Sequence, residues 1–417
     1  MTFEILPASP PVLVVRPRAG SYGHQVLEFL MGLYLARRLQ GSVVFESNGP
    51  LVNPVFFELD CAEVPILRHH EAAQALALAR RQARRDWYRT SLAPVRQSWE
   101  RTILLGLTRV AERSERARRW RKAYKGYLAR HSVPSGPPDF LGLDFRRCYA
   151  RDPLTFSLPA SLASRAAEEA QSVGLGADDL FATLHVRESG FKSAAAESPA
   201  DRDRNARIAD YGIAIDCLAE RGFRVVRIGD PAATPVDHPA VVDLATSPRR
   251  SHLLEVWALL RSRLFIAGDS GPFVTGYLTG VPSVAVNVTN VLGGYPIHTQ
   301  DRYLLKGAVE VRSGRRLSLL EMLTTDYFLS RRDQARYRFV DNSPAEIAEG
   351  VSEGLSLLDQ KDVRLTPDQD AFHEQASKLY ADPIVAATRT RKGEPADQLL
   401  GDGRIGATFA ARHLRNV

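Results

Sequence analysis

Residues 180–192 read LFATLHVRESGFK, and this stretch decides the fold prediction. The apolar run at 181–186 is typical of a strand buried in a parallel sheet, and polar residues follow it. Ligands of open α/β sheets bind at the carboxyl ends of such strands. Arg187 and Lys192 can hold phosphate oxygens there, Arg187 through a planar two-point contact. The stretch therefore predicts a Rossmann-like half with a ligand site at its edge. The competing interpretation is an ordinary strand end with a solvated arginine.

The α/β pattern continues on the C-terminal side of this stretch. Apolar runs predict four more strands, at 223–228, 241–244, 264–267 and 283–288. Apolar periodicity and capping residues predict helices at 208–220, 250–263, 317–323, 344–358 and 367–380. Strands that alternate with helices indicate a parallel sheet with helices on its faces.

Three further polar motifs follow these predicted strands. Their residues that we expect to bind a ligand are Gly229, Asp230, Ser247, Arg250, Asp269, Ser270 and Gly271. Glycine lets a ligand approach the backbone closely, and the free N–H groups at a helix start favour anions. Ordinary turns and helix caps are the alternative in each case. Pro272 stands where a nucleophile elbow requires its second glycine, so a serine hydrolase is not expected.

The first part of the chain predicts a second Rossmann-like half. An apolar strand at 12–16 leads through a glycine-bearing turn into a helix that ends near Gly41, and a short strand follows at 43–45. His24 follows Gly23 in that turn. Histidine is the side chain best suited to proton transfer near neutral pH, so His24 is the candidate general base. The alternative is a histidine that caps the helix or packs against it.

A strongly basic segment interrupts this first half. Residues 78–130 contain sixteen Lys or Arg residues and four Asp or Glu residues, a net charge of +12 in a chain whose total is +7. The segment is predicted to be helical, and residues 132–139, with three prolines and a glycine, are a linker candidate. We expect one domain at 1–140 that carries this extension and a second at 141–360. A C-terminal helix and tail at 361–417 is expected to pack back on the first domain.

Several kinds of function are not expected from the sequence. None of the apolar runs in the 417 residues approaches the ~20 residues of a membrane-spanning helix. The three cysteines match no metal-ligand spacing and suggest a reducing, cytoplasmic location. Walker A, dinucleotide-binding and His-Glu-x-x-His motifs are absent. Two Asp-x-Asp triplets, at 201–203 and 368–370, are placed in a polar loop and in a helical first turn. Neither is a strand end, so we expect no metal and no other cofactor.

The motifs between residues 185 and 287 resemble a family of bacterial glycosyltransferases. The matching positions are 185–192, Arg204, Asn205, Tyr211, 227–231, 245–248, Asp269, Ser270 and 280–282. Their order is more distantly similar to that of GDP-fucose-dependent fucosyltransferases, whose donor domain carries a His-x-Arg-Arg motif after a strand. The resemblance covers about a quarter of the chain.

This resemblance implies a GT-B fold, in which two Rossmann-like domains face a cleft, and an inverting, metal-independent reaction. It implies that Arg187 contacts donor phosphate and that Asp269 and Ser270 help to hold the nucleotide or its diphosphate. Glu188 stands where fucosyltransferases have their second arginine, so the donor need not be GDP-fucose, and Lys192 is the alternative phosphate contact. The predicted catalytic residues are His24 and Arg187. The predicted donor-binding residues are His185, Arg187, Lys192, Asn205, Gly229, Asp230, Ser247, Arg250, Asp269, Ser270 and Gly271.

The sequence thus predicts a transferase that moves a hexose or deoxyhexose from a nucleotide sugar to an acceptor. Domain 141–360 would bind the donor, and domain 1–140 would present a glycan, lipid-linked or protein acceptor. The expected role is surface polysaccharide or other glycoconjugate synthesis. Two alternatives stay open. One is a nucleotide-sugar epimerase of GT-B fold, which needs a second acid/base pair. The other is a non-catalytic protein that binds nucleotide sugars or glycans.

We predict that the basic segment 78–130 brings the protein to the inner face of the cytoplasmic membrane. Its arginines are interleaved with Trp87, Trp99 and Trp120. Anionic lipids attract basic segments by about 1 kcal/mol per nearby Lys or Arg, and aromatic rings suit the interface. Nucleic-acid binding is not expected, because no nucleic-acid fold signature accompanies the charge. The alternative is a solvated helical surface whose aromatic residues lie in the core.

Co-sedimentation with lipid vesicles distinguishes these interpretations. The protein should pellet with anionic vesicles at low salt, and high salt should release it because the attraction is screened. Neutral vesicles are the control. If the protein stays in the supernatant with anionic vesicles at low salt, the interpretation as a solvated helical surface is correct.

Overall fold

The computed structural model of the chain describes residues 2–6, 10–17, 22–46, 51–68, 71–78, 81–82, 153–176, 178–190, 197–290, 298–360, 362–385 and 402–415. Lys192 lies outside these ranges, and so does the basic segment 78–130 apart from positions 78, 81 and 82. The predictions made for them stay predictions.

The first half is built on a small sheet. β2 (Val12–Arg16) and β3 (Ser42–Phe45) pair in parallel, and α1 (Tyr22–Arg38) connects them. β1 (Thr2–Leu6) adds an antiparallel edge against β2. The predicted order of strand, helix and strand is therefore confirmed, while the turn before the helix lies mostly outside the described residues. β1 is an addition to the prediction, and the alternation of polar Thr2 and Glu4 with apolar Phe3 and Ile5 is typical of an antiparallel strand.

Two short strands pair with each other just before the second half begins. β4 (Asp60–Cys61) pairs antiparallel with β5 (Phe156–Ser157), although the two strands lie far apart in sequence. The backbone N–H of Ala62 also donates to the carbonyl of Thr155, over 3.1 Å. Soon after β5 the chain enters α2 (Ala160–Ser172), which packs against the second half.

The second half is a seven-stranded sheet in which every neighbouring pair is parallel. Its strands are β6 (Phe181–His185), β7 (Arg224–Ile228), β8 (Val241–Asp243), β9 (Leu264–Ala267), β10 (Ser283–Val288), β11 (Arg302–Leu305) and β14 (Arg404–Ile405). All five strands predicted from the sequence in this half are present within one or two residues. The predicted α/β class with Rossmann-like halves is confirmed.

The strand order fixes where a ligand site is expected. Across the sheet the order is β8-β7-β6-β9-β10-β11-β14. The chain starts at β6, adds β7 and β8 on one side, and then returns to the other side of β6 with β9. This is the order of a Rossmann sheet, whose direction reverses between its first and fourth strands. The topological switch point therefore lies between the carboxyl ends of β6 and β9.

The described residues of the second half also form helices, some of which pack on this sheet. They are α3 (Pro199–Arg202), α4 (Gly212–Glu220), α5 (His252–Arg261), α6 (Thr275–Thr279), α7 (Leu319–Met322), α8 (Thr325–Ser330), α9 (Pro344–Ser356), α10 (Pro367–Ala381) and α11 (Ala407–His413). α9 packs on α4, β10 and β11. Gly354 permits this close approach, because a Cβ atom there would lie 2.5 Å from Cγ2 of Val284. No helix within the described residues is long and apolar enough to cross a bilayer.

Strands between 302 and 340 were not predicted. β11 is fully buried, yet it begins with Arg302, which hides it from a search for apolar runs. The guanidinium of Arg302 is neutralised inside the protein by Glu353, over 2.5 Å. β12 (Gly307–Glu310) and β13 (Tyr337–Val340) form a separate antiparallel ladder.

The described parts of segment 361–417 pack on the second sheet. β14 pairs with β11, and the Gln369 side chain of α10 donates to the carbonyl of Ile405, over 2.7 Å. The ring of Phe372 contacts that of Tyr303 in β11, with centroids 6.1 Å apart. This placement corrects the expectation that the segment packs back on the first domain. The reason is the unpredicted strand β14, which joins the segment to the sheet edge.

Candidate functional site

Polar side chains collect at the switch point of the seven-stranded sheet. His185 is the last residue of β6, and Arg187 follows two positions later. Asp269 and Ser270 follow β9, and Thr289 follows β10. His185, Asp269 and Ser270 are all buried. Buried polar groups at this edge of a parallel sheet are the usual components of a ligand site.

The Arg187 guanidinium is held in a fixed orientation. Its Nη2 donates to Oδ1 of Asp201 over 2.9 Å, and its Nε donates to Oδ1 of Asn205 over 3.1 Å. The side chain is 9% exposed. Burial lowers the pKa of Arg187, and the neighbouring charge of Arg204 acts in the same direction. The structure thus brings two predicted donor-binding residues, Arg187 and Asn205, into direct contact.

The first Asp-x-Asp triplet belongs to this arrangement. Asp201 lies in α3, whose start is capped by Ser198, so the predicted polar loop is wrong at this point. The Asp201 carboxylate also accepts from Nη2 of Arg204 over 2.6 Å, and it therefore lies between two guanidinium groups. The acidic residues of the second triplet occupy the first turn of α10, as predicted. Within the described ranges, no group of three or more His, Cys, Asp or Glu side chains could hold a metal ion.

His185 joins β6 to the turn after β9. Its Nδ1 lies 3.1 Å from the hydroxyl of Ser270. Burial, followed by the charges of Arg227 and Arg187, lowers the pKa of His185 to about 3. The imidazole is therefore neutral near pH 7, and its contact with Ser270 is a hydrogen bond between neutral groups. His185 thus positions the turn instead of exchanging protons near neutral pH.

Asp269 joins the same turn to β10. Its Oδ2 accepts from the hydroxyl of Thr289 over 2.5 Å and from the Thr289 backbone N–H over 3.4 Å. Its negative charge also favours the protonated form of Arg187, whose pKa it raises. After this turn the chain forms a 3₁₀ helix at Pro272–Val274 before α6 begins. The predicted helix start is therefore present, but as a single tight turn.

The first half reaches the switch point through α1. A Cβ atom on Gly23 would lie 2.8 Å from Cα of Gly271, and one on Gly271 would lie 2.9 Å from the backbone N of Gly23. The two backbones touch, and only glycine fits at either position. His24 is the next residue, in the first turn of α1, although the described atoms do not include its side chain. His24, the predicted base, is therefore the residue after Gly23, which contacts the turn that contains Ser270.

The remaining predicted donor residues make local contacts. Gly229 has a φ of +157°, and a Cβ atom added there would lie 3.9 Å from Cδ2 of the His185 ring. Asp230 accepts from the Ala232 N–H, and Ser247 accepts from the Arg249 N–H, so both stabilise their own turns. Arg250 forms an ion pair with Glu255 over 2.7 Å. These roles in donor binding stay predictions.

Glu188 has a partner that the sequence does not reveal. Its Oε2 accepts from Nη2 of Arg227 over 2.7 Å, and Nη1 of Arg227 donates to Asp243 over 3.0 Å. Arg227 is 1% exposed. Glu188 occupies the position at which the sequence comparison expected a second phosphate-binding arginine. Its carboxylate instead binds the buried Arg227 of β7. Arg227 itself connects three neighbouring strand ends.

Lys306 is a residue of this edge that the sequence analysis missed. It follows β11 directly, is 3% exposed, and forms an ion pair with Asp341 over 2.7 Å. Its ammonium group also donates to the backbone carbonyl of Asn205 over 2.6 Å. The signal was available in principle, because Lys306 follows an apolar run just as Arg187 follows β6. It went unnoticed because β11 was not predicted.

Comparisons with known proteins give two solved structures of interest. No protein-family model and no curated protein matches the chain. A glycosyl transferase family 9 protein from Veillonella parvula is 16% identical, with 65% of this chain and 79% of that one covered and a TM-score of 0.32. The NodZ alpha-1,6-fucosyltransferase, in a crystal soaked with GDP-fucose, is also 16% identical, with 65% and 92% covered and a TM-score of 0.26. Both proteins belong to the class that the sequence resemblance named. The likeness says nothing about donor or acceptor.

We predict that Arg227→Met strongly destabilises the protein. The substitution leaves Glu188 and Asp243 as carboxylates without their buried partner, and breaking a buried pair in this way costs about 3–5 kcal/mol. The free energy of unfolding in urea measures the loss. Arg224→Met is the matched control, because Arg224 lies on the same strand in a partly exposed pair with Asp179. Such pairs contribute about 0–1 kcal/mol. Equal effects of the two substitutions would contradict the assigned role of Arg227.

Proposed function

We propose that the protein is an inverting, metal-independent glycosyltransferase that moves a sugar from a nucleotide-sugar donor to a glycan, lipid-linked or protein acceptor. The donor would occupy the switch point between β6 and β9. The acceptor would approach from the first half. Surface glycoconjugate synthesis at the cytoplasmic side of a membrane is the role that agrees with the basic segment 78–130.

One observation carries this proposal: the contact between Gly23 and Gly271 at the carboxyl edge of the second sheet. A transferase must bring two substrates and a base to the same few ångströms. The contact places the start of α1 beside the turn of Ser270, which is bonded to His185 of β6. Residues from both halves therefore border one position where ligands of Rossmann sheets bind. A site of this kind suits a reaction between two separately bound substrates.

The proposed reaction is a single displacement. An acceptor hydroxyl attacks the anomeric carbon of the donor sugar from the side opposite the leaving group. A new carbon–oxygen bond forms as the bond to the nucleoside diphosphate breaks, and the hydroxyl proton passes to a base, for which His24 is the candidate. Arg187 would stabilise the charge that builds on the leaving diphosphate. Because Asp201 and Asn205 already fix its guanidinium, little reorganisation is needed during the reaction.

We predict that Arg187→Ala weakens nucleoside diphosphate binding by roughly 10- to 100-fold, because a charge-assisted contact is lost. A panel of nucleoside diphosphates is titrated into the full chain by calorimetry. Arg263→Ala is the matched control. Arg263 precedes β9 at the opposite edge of the same sheet, where it pairs with Asp359 over 3.1 Å. Unchanged affinity in Arg187→Ala, or an equal loss in both variants, would contradict a phosphate contact by Arg187.

Sugar transfer tests the whole proposal. The nucleotide whose diphosphate binds is supplied as its nucleotide sugars together with an acceptor panel, in buffer that contains EDTA. We expect transfer to proceed with full rate in EDTA. Transfer that needs added manganese would contradict the metal-free mechanism. Release of free sugar without any acceptor would favour an epimerase. Binding of nucleotide sugars without any turnover would favour a non-catalytic protein.

We predict that His24→Ala lowers turnover by about 10²- to 10⁴-fold, the usual contribution of a positioned general base. Donor affinity should stay close to that of the wild type, since the donor contacts are assigned to the second half. His238→Ala is the control, because His238 precedes β8 at the opposite edge of the sheet from the switch point and pairs there with Asp216. Equal losses of affinity and turnover would make His24 a donor ligand. Unchanged turnover would mean that His24 has only a structural role at the start of α1.

A further inference from the structure

A small polar pocket adjoins the candidate donor site and has no role in the function proposed so far. Its open volume is about 260 Å³, including the space at its mouth. Its polar and aromatic lining consists of Asp203, Thr289, Asn290, Arg331, Arg332 and Phe339. Thr289 and Asn290 follow β10, so the pocket lies at the same carboxyl edge as Arg187. The open volume includes solvent and the enclosed space is about that of one water molecule, so a larger ligand would lie partly outside it.

Two charged groups of the pocket have unused hydrogen-bonding capacity. Neither the Asp203 carboxylate nor the Arg332 guanidinium forms a hydrogen bond to another residue in the part of the chain that is described. Burial raises the pKa of Asp203, while the charges of Lys306 and Arg332 oppose that rise. Asp203 is half-buried. Arg332 is exposed, so both groups are accessible to a ligand that would replace water as their hydrogen-bond partner.

The surroundings hold these groups in place. Arg331 donates to the carbonyl of Phe328 and stacks on its ring, with Cζ 4.0 Å from the ring centroid. Its cation is therefore already engaged. The nearby Tyr327 is 3% exposed, and its hydroxyl has no partner among the described residues. Asp203 lies close enough for its charge to affect the pKa of Tyr327, which burial raises.

Strain in β10 fixes the other wall. Asn287 has a φ of +57°, which is rare for a residue with a side chain, and it interrupts the regular pairing of β10 with β11. Its side chain accepts from the Asn342 N–H and Asn342 accepts from the Asn287 N–H, both over 2.7 Å. Such strain persists where the surrounding structure enforces it, often at ligand sites. It sets the position of Thr289 and Asn290, which follow shortly after it.

The chemistry of the lining distinguishes between possible ligands. Asp203 offers only acceptors at neutral pH and Arg332 only donors. A phosphate group would be attracted by Arg332 and the neighbouring cations, but as an acceptor it could not donate a hydrogen bond to Asp203. A sugar ring carries hydroxyls that both donate and accept, so it satisfies both groups at once. The Phe339 ring adds an apolar surface of the kind that lines small-molecule pockets.

Two links join the pocket to the Arg187 site. Thr289 in its wall is bonded to Asp269 of the switch-point turn, over 2.5 Å. Asp203 lies two residues after Asp201, which binds Arg187. We therefore expect a ligand with its diphosphate at Arg187 to extend towards this pocket.

We propose that this pocket binds the neutral sugar ring of the donor, with Asp203 and Arg332 as the residues that recognise its hydroxyl groups. The assignment to the donor rests on the proposed glycosyltransferase function. The recognition of a neutral sugar rests on the pocket itself. Asp203 and Arg332 would then determine which sugar is transferred, because a site built to hydrogen-bond a hydroxyl rejects a ligand that lacks it.

The test uses the full chain and two kinds of probe. Saturation-transfer NMR measures binding of neutral hexoses, 6-deoxyhexoses and a hexuronate as free monosaccharides, and calorimetry measures binding of the nucleoside diphosphate panel. Asp203→Ala and Arg332→Gln should each weaken binding of a neutral monosaccharide by roughly 10- to 100-fold. Their affinity for nucleoside diphosphate should equal that of the wild type. Asp216→Ala, which removes a mostly exposed carboxylate on α4, should change neither.

The possible outcomes separate the two proposals. Monosaccharide binding that is absent from the wild type, or unchanged in both pocket variants, overturns the sugar pocket even if nucleotides bind. Nucleoside diphosphate affinity that rises in Asp203→Ala and falls in Arg332→Gln overturns it in favour of an anion site. The protein could instead bind monosaccharides through the pocket and bind no nucleotide. That result refutes the proposed glycosyltransferase function and the assignment of the sugar to a donor. It leaves the neutral-sugar pocket in place.

Discussion

The buried guanidinium of Arg227 holds the carboxyl edge of the second sheet together. Arg227 belongs to β7, and it forms ion pairs with Glu188, which follows β6, and with Asp243 at the end of β8. A charge at this depth is tolerable only when its partners are placed correctly, so the three strand ends must keep their relative positions. The arrangement is not fully satisfied. Nε of Arg227 and Oδ1 of Asp243 have no hydrogen-bond partner within the described residues, and the network is better understood as fixing geometry than as adding stability.

This constraint separates the tasks of two adjacent residues. Glu188 is committed to Arg227 on the β7 side, which leaves Arg187 as the cation near β9. The charges of Arg227 and Arg187, together with burial, keep the pKa of His185 low and its ring neutral. A neutral His185 can then bind the Ser270 hydroxyl without introducing a further positive charge. The neutral state of His185 thus depends first on its burial and then on the two nearby guanidinium groups.

The sequence predicted strands that are mostly apolar, including β7 with its buried Arg227, and missed others that are short or open with a charge. β6, β9 and β10 are mostly apolar and were placed within a residue, and Arg187 was found because it follows such a strand. β11 was missed because Arg302 opens it, and Lys306 was missed with it. Contacts distant in sequence were also beyond reach. Nothing local to Glu188 indicates Arg227, and nothing local to Gly23 indicates Gly271, since both pairings arise from chain topology. Asp203 was noticed only as part of a triplet, because most of its pocket is formed by residues far away in sequence.

The ladder between β4 and β5 has a consequence for the engineering of the chain. It brings residues 61 and 156 side by side, so the chain between them begins and ends at nearly the same point. Bringing the ends of a long loop together costs entropy that grows only with the logarithm of its length. Val64 and Leu76 within this stretch are buried in the first half and must be kept. Changes of length beyond these packed residues should therefore disturb the flanking strands least.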